Sequence, residues 1–156
     1  MDASFITLLP GDPAPRFRAA TSSVPHFHFD TMAGRYIVLC FFVSGSTPGG
    51  DAALQAVALN RNRFDDERMS FFGVTVDPKD RDSGRVEQSL PGVRYFLDFD
   101  AAVCKAYGAV PREAAPRATV DVRQFWIVHD PTLRVLEVFP FKPGGADCAE
   151  LFAYLE

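Results

Sequence analysis

The sequence predicts a three-layer α/β/α domain around a mixed central sheet, and three observations predict it. A continuous apolar run, Ile37 to Val43, lies between turn-forming residues and gives way after Asp51 to apolar residues at helical spacing. A second apolar run, Phe71 to Val76, repeats the strand pattern, and the chain closes with two short strands and an amphipathic helix. Strand–helix alternation followed by a hairpin and a helix describes a sheet covered on both faces, with strands of both directions. With 156 residues, one domain over residues 1–156 is expected, able to bury roughly 70% of its unfolded surface.

Each element has its own warrant. Leu8 to Ala20 carries Pro10, Gly11, Pro13 and Pro15, so it should run extended or turned over the surface. His26-Phe27-His28-Phe29 alternates at period two, a short strand with both histidines on one solvated side, closed by the polar turn Asp30 to Arg35. Between Asp51 and Phe64 the residues Leu54, Val57, Ala58 and Phe64 share a helical stripe, and Asp51 suits the positive helix end. Asp77-Pro78 ends the second strand, a helix is expected over Ser83 to Leu90, and Pro91-Gly92 separates it from a strand at Tyr95 to Leu97. Ala101 to Tyr107 reads as one or two helical turns with Gly108 as C-cap. Val110 to Val122, with Pro111 and Pro116, reads as loop. Phe125 to Val128 and Val135 to Phe139 form a hairpin, with Trp126 in the core and His129 at the surface in the turn. Cys148, Leu151, Phe152 and Leu155 form the buried stripe of the last helix.

Composition excludes several classes. A net charge of -4 offers no basic stripe for nucleic acid. No apolar run is long enough to cross a bilayer, and the N-terminus lacks the basic-then-apolar pattern of a secretion signal. Three cysteines without close pairing suit a reducing cytoplasm. Neither they nor the three histidines fall at metal-ligand spacing, so no metal and no cofactor is expected. There is no repeat or internal domain boundary, and an origin in a longer protein stays open.

Six segments, in order, resemble the peroxiredoxins of the alkyl hydroperoxide reductase/thiol-specific antioxidant branch, in particular the bacterioferritin-comigratory kind. They are Gly11-Asp12-Pro13-Ala14-Pro15-Arg16-Phe17, Gly34 to Leu39, Thr47-Pro48-Gly49-Gly50, Val74-Thr75-Val76-Asp77, Val103 to Ala109, and Phe125 to Pro131. The resemblance implies a thioredoxin-like fold and a thiol peroxidase, in which a cysteine at a helix N-terminus attacks the peroxide oxygen. It assigns Thr47 to the threonine that donates a hydrogen bond there and Arg123 to the arginine that holds the polarised O–O bond, although Arg123 stands one residue further from Asp130 than usual. Val43 occupies the place of a shielding proline, and Gly50 that of the cysteine itself. Glycine supplies no nucleophile.

Three functional readings follow. The preferred one is a peroxiredoxin-like domain without the usual thiol, in a structural, regulatory or ligand-binding role. One alternative is a thiol peroxidase using a displaced cysteine: Cys40, Cys104 or Cys148, each of which also reads as packing. Another is that cysteine at position 50 was replaced by substitution in an active enzyme. The helix start, Thr47 and Arg123 frame a polar hollow, enlarged by the missing thiol, for a small anion or peroxide-like ligand near Thr47 to Gly50. A protein partner or a homodimer is a further expectation. If only the sulfur were missing, Gly50→Cys should give a thiol with a lowered pKa.

Overall fold

Strand β3 (Tyr36–Val43) forms the middle of the sheet because its apolar run can be covered on both faces: Ile37 through Phe42 are all buried. A computed structural model describes residues 7–21, 24–45, 47–65, 67–84, 86, 94–99, 102–110, 123–142 and 146–155. Before β3, two-residue strands β1 (Arg18–Ala19) and β2 (Phe27–His28) pair antiparallel, and a 3-10 turn spans Phe29–Met32. Helix α1 (Pro48–Leu59) follows β3 and continues into a 3-10 turn at Arg61–Arg63. Then come β4 (Met69–Thr75), α2 (Pro78–Ser83), β5 (Tyr95–Leu97), α3 (Ala102–Tyr107), β6 (Phe125–His129), β7 (Val135–Pro140) and α4 (Ala146–Tyr154). The five-stranded sheet runs β5-β4-β3-β6-β7. Its β3–β4 and β4–β5 pairs are parallel, its β3–β6 and β6–β7 pairs antiparallel, so the sheet is mixed.

Alternation along the central strands feeds two apolar layers. Ile37, Leu39, Phe41, Phe72, Phe125 and Ile127 pack with α3 and the segment before β3. Val38, Cys40, Phe42, Trp126 and Val128 pack with Leu54 and Val57 of α1 and Leu151 of α4. Rings dominate the first layer, with Phe17 stacked on Phe29 at 4.7 Å and Phe72 on Phe96 at 5.3 Å. No helix among the described residues is long and apolar enough to cross a membrane.

Departures from the expected elements have local causes. Of the helix expected over Ser83–Leu90, the described Val86 is helical; a separate helix, α2, starts at Pro78 because Asp77 caps the Lys79 N–H and proline suits the first helical position. Gly84, at φ +69°, ends it, and residues 85 and 87–90 lie outside the described set, as does the 111–122 part of the expected loop. His26 and His28 are exposed, as read. His129 is not at the surface. It extends the Phe125–Ile127 alternation by one residue and is fully buried, Nδ1 3.1 Å from the Ile37 carbonyl and Nε2 3.2 Å from the Tyr107 hydroxyl. Burial holds its pKa down at about 4, so it is neutral.

Candidate functional site

The site is assembled where β3 stops. Val43 has φ +72°, and Ser44 N–H donates to the Phe42 carbonyl at 2.8 Å, which makes Val43 the centre of a γ-turn. A β-branched residue there is strained, at a cost of order 1–3 kcal/mol. Proline, locked near φ -65°, could not take this turn. Surrounding bonds hold it: Val76 N–H donates to the Val43 carbonyl at 2.9 Å, and Thr75 Oγ1 lies 2.8 Å from the same oxygen. Gln124 Nε2 donates to the Phe42 carbonyl at 2.9 Å. Ser44 Oγ donates to Asp77 at 2.7 Å, and Gly45 N–H to the buried carboxylate of Asp80 at 3.0 Å.

The γ-turn aims the Ser44 carbonyl at the first turn of α1. Thr47, the N-cap, donates its hydroxyl proton to that carbonyl at 2.9 Å and accepts the Gly50 N–H at 2.9 Å. Gly50 is the third residue of α1 and is buried. A Cβ built on it would fall inside van der Waals contact with the Ser44 oxygen, 3.0 Å from the Ser44 carbonyl carbon and 2.8 Å from Thr47 Oγ1. The hollow expected from a missing thiol is therefore filled by backbone. Of the first N–H groups of α1, Pro48 has none, Gly50 is capped by the Thr47 side chain, and Asp51 donates to the Thr47 carbonyl at 2.9 Å. Gly49 faces Phe141 and Gln124, whose atoms lie 3.2 and 3.3 Å from the place its Cβ would take.

Arg123 is exposed, two residues before β6, its backbone N–H tied to the Ala109 carbonyl at 2.9 Å. Strand alternation puts it with Phe125 and Ile127 on the wall of a cavity that also includes Tyr107 and Val138. Its neighbour Gln124 reaches Thr47, with Nε2 3.4 Å from Oγ1. The resemblance gave no reason to single out Gln124. Its signal was parity, since residues 124 and 126 share the strand face toward α1.

The three cysteines lie elsewhere. Cys40 is buried in mid-strand, and burial, reinforced by Cys148 and Asp147, raises its pKa well above the ordinary thiol value. Cys104 is buried in α3. Cys148 is half-buried, and burial plus the Asp147 carboxylate pushes its thiol up to about 11.

Known proteins match this arrangement along most of the chain. The AhpC/TSA family profile matches residues 10–135. A peroxiredoxin of Aquifex aeolicus is 26% identical over 144 residues, 86% of this chain, and the chain spans 63% of that relative's length. The crystal structure of the peroxidoxin BcpB of Mycobacterium tuberculosis superposes with a TM-score of 0.79 at 19% identity, covering 95% of this chain and 96% of that one. The bacterioferritin comigratory protein of Xanthomonas campestris gives 0.73 at 18% identity, covering 97% and 99%. At such identities the structural likeness speaks for the fold.

Proposed function

The chain belongs to the AhpC/TSA family, and from that premise we propose that it is a family domain without peroxide-reducing chemistry, kept for binding or regulation. One observation carries the reading: the Ser44 carbonyl fills the space a side chain at position 50 would need, and takes the Thr47 hydroxyl proton. A threonine serving a thiolate would have that proton aimed at sulfur. Here it closes a capping turn, and no cysteine stands between Ser44 and Asp51 to replace the missing one. This also weighs against the recent-substitution reading, since a loop built for cysteine would leave room at position 50.

At two of the three thiols the displaced-cysteine reading meets an electrostatic obstacle. At a pKa of about 11, roughly one Cys148 in ten thousand is thiolate at pH 7. Cys40 is buried and further disfavoured by the nearby Asp147 carboxylate.

The test is direct. Hydrogen peroxide and an organic hydroperoxide, with dithiothreitol as reductant, should disappear no faster than in a protein-free control. Rapid turnover with stoichiometric sulfenic acid on Cys40, Cys104 or Cys148 would restore the enzyme.

A further inference from the structure

The two-stranded ribbon β1–β2 turns one face to the core and the other to solvent. Phe17, Ala19 and Phe27 point inward: Phe17 stacks on Phe29, and Phe27 meets Phe72 and Phe96 edge-on. Period-two alternation therefore turns Arg16 and Arg18 outward, and the pairing of Arg18 with His28 puts that imidazole on the same face. His26, two residues before it, extends the row. All four residues are exposed, and among the described residues none of their side chains has a hydrogen-bond or ion-pair partner. On a chain of net charge -4 this is a local run of uncommitted donors. Beside Arg18 opens a hollow of about 350 Å³ walled by Leu97, Phe99, Ala102 and Val103. Asp98 also lines it, but is buried, its carboxylate accepting the Val103 and Cys104 N–H groups at 2.9 and 2.8 Å.

We propose that this face binds an extended acidic segment of a partner protein, its alternate carboxylates at Arg16 and Arg18 and one apolar side chain in the hollow. Spacing selects the extended form. Residues two apart on a strand stand about 6.5 Å from each other, which is also the separation of same-face side chains in an extended partner. A compact anion would have to draw both guanidiniums together against their mutual repulsion. A nucleic acid strand fits less well, because its bases need aromatic platforms and the rings of this ribbon face the core. Its phosphates also call for a longer run of cations than two guanidiniums, and Asp30 stands exposed two residues after His28. The inference rests on the binding reading above and gives the partner its chemistry.

Fluorescence anisotropy of the intact chain tests it with a labelled synthetic peptide in which glutamate alternates with threonine and phenylalanine stands at each end. The comparison probes are the same peptide with glutamine for glutamate, a scrambled form with its glutamates adjacent, and a single-stranded oligothymidylate. Arg16→Gln and Arg18→Gln, both at exposed positions, should each weaken the alternating peptide about two- to fivefold, as exposed ion pairs do, and together about tenfold. Added salt should weaken the glutamate peptide and leave the glutamine form unchanged. Alanine for phenylalanine in the peptide should weaken it about tenfold. Backbone amide shifts at residues 16–20 and 26–30 should locate it on the ribbon. No binding of the alternating peptide, equal binding of the glutamine or scrambled form, unchanged affinity in the double variant, or shifts on another face would overturn the proposal. Tighter binding of the oligothymidylate would overturn it in favour of nucleic acid, and self-association abolished by the double variant in favour of a second copy. Peroxide assays on the same samples keep the two claims apart. Neither peptide binding nor turnover overturns this surface alone, whereas rapid turnover alongside Arg16- and Arg18-dependent binding overturns the loss of thiol chemistry and supports the surface.

Discussion

Two helices start with a different residue at the same place. Gly50 is the third residue of α1, and Cys148 is the third residue of α4. Helix α1 has the polar loop and the capped amides but no sulfur. Helix α4 has the sulfur, 3.7 Å from the buried carboxylate of Asp147, which accepts the Trp126 indole N–H at 2.9 Å and the Lys142 N–H at 2.9 Å. A helix end favours an anion by about 0.3–1 kcal/mol, rarely near 2, and burial beside a fixed negative charge overrides that at Cys148. Placement in a first turn therefore does not activate a thiol; the adjacent charge and the room around the sulfur decide.

The sharpest way to break this comparison is to put a side chain at Gly50. Gly50→Ala should cost about 3 kcal/mol, near the top of the usual overpacking range, because the group in the way is the Ser44 backbone rather than a mobile side chain. Gly50→Cys should be destabilised similarly and should not give the low-pKa thiol that the sequence alone leads one to expect. Denaturant midpoints and the pH dependence of alkylation measure both. A stable variant with a thiol pKa well below about 8.5 would mean that the loop still holds a thiol niche.

His129 bounds the pH window for such titrations. Its folded pKa of about 4 lies below the ordinary value near 6.5, so the unfolded chain binds the proton more readily. Its contribution is fully present above about pH 6.5, declines as pH falls, and levels off below about 4, a loss on the order of 3 kcal/mol. Urea unfolding between pH 7 and 4 should follow this course, and His129→Gln should flatten it. An unchanged slope in that variant would place the acid sensitivity elsewhere.

The same histidine shows where sequence reading works and where it stops. Central strands and the hairpin were legible because apolar period and turn chemistry are local signals, as in Ile37–Val43 and Phe125–Val128, whereas α1 starts at Pro48, three residues before the Asp51 start that its apolar spacing suggests. His129 was misplaced because a polar residue beside Asp130-Pro131 reads as turn, while its burial depends on partners in β3 and α3, Ile37 and Tyr107, far away in sequence. The identity of Gly50 was plain in the sequence. The carbonyl that fills its space was not, since nothing local announces that Val43 adopts positive φ.

Returning to the helix that has the sulfur, Asp147→Asn removes the charge while keeping an acceptor for Trp126. The Cys148 alkylation midpoint should fall from about 11 but stay above the ordinary thiol range, because burial is the larger cause. Loss of one charged hydrogen-bond acceptor should cost about 1–2 kcal/mol. An unmoved midpoint would leave burial as the whole explanation and weaken the contrast with α1.

The smallest effect tests the strain at the approach to α1. Val43 is half-buried, so Val43→Gly forfeits about 1 kcal/mol of apolar burial and about 0.5–1 kcal/mol through the freer unfolded chain. Against this, glycine takes φ +72° without the 1–3 kcal/mol cost borne by valine. The terms nearly cancel, and the variant should unfold within about 1 kcal/mol of the parent chain, whereas an unstrained half-buried valine should lose about 2 kcal/mol on the same change. Val57, on α1 and nearly fully buried, is the control, and Val57→Gly should cost several kcal/mol. A loss of 2 kcal/mol or more for Val43→Gly would remove the strain from the account of how the Ser44 carbonyl is delivered to Gly50.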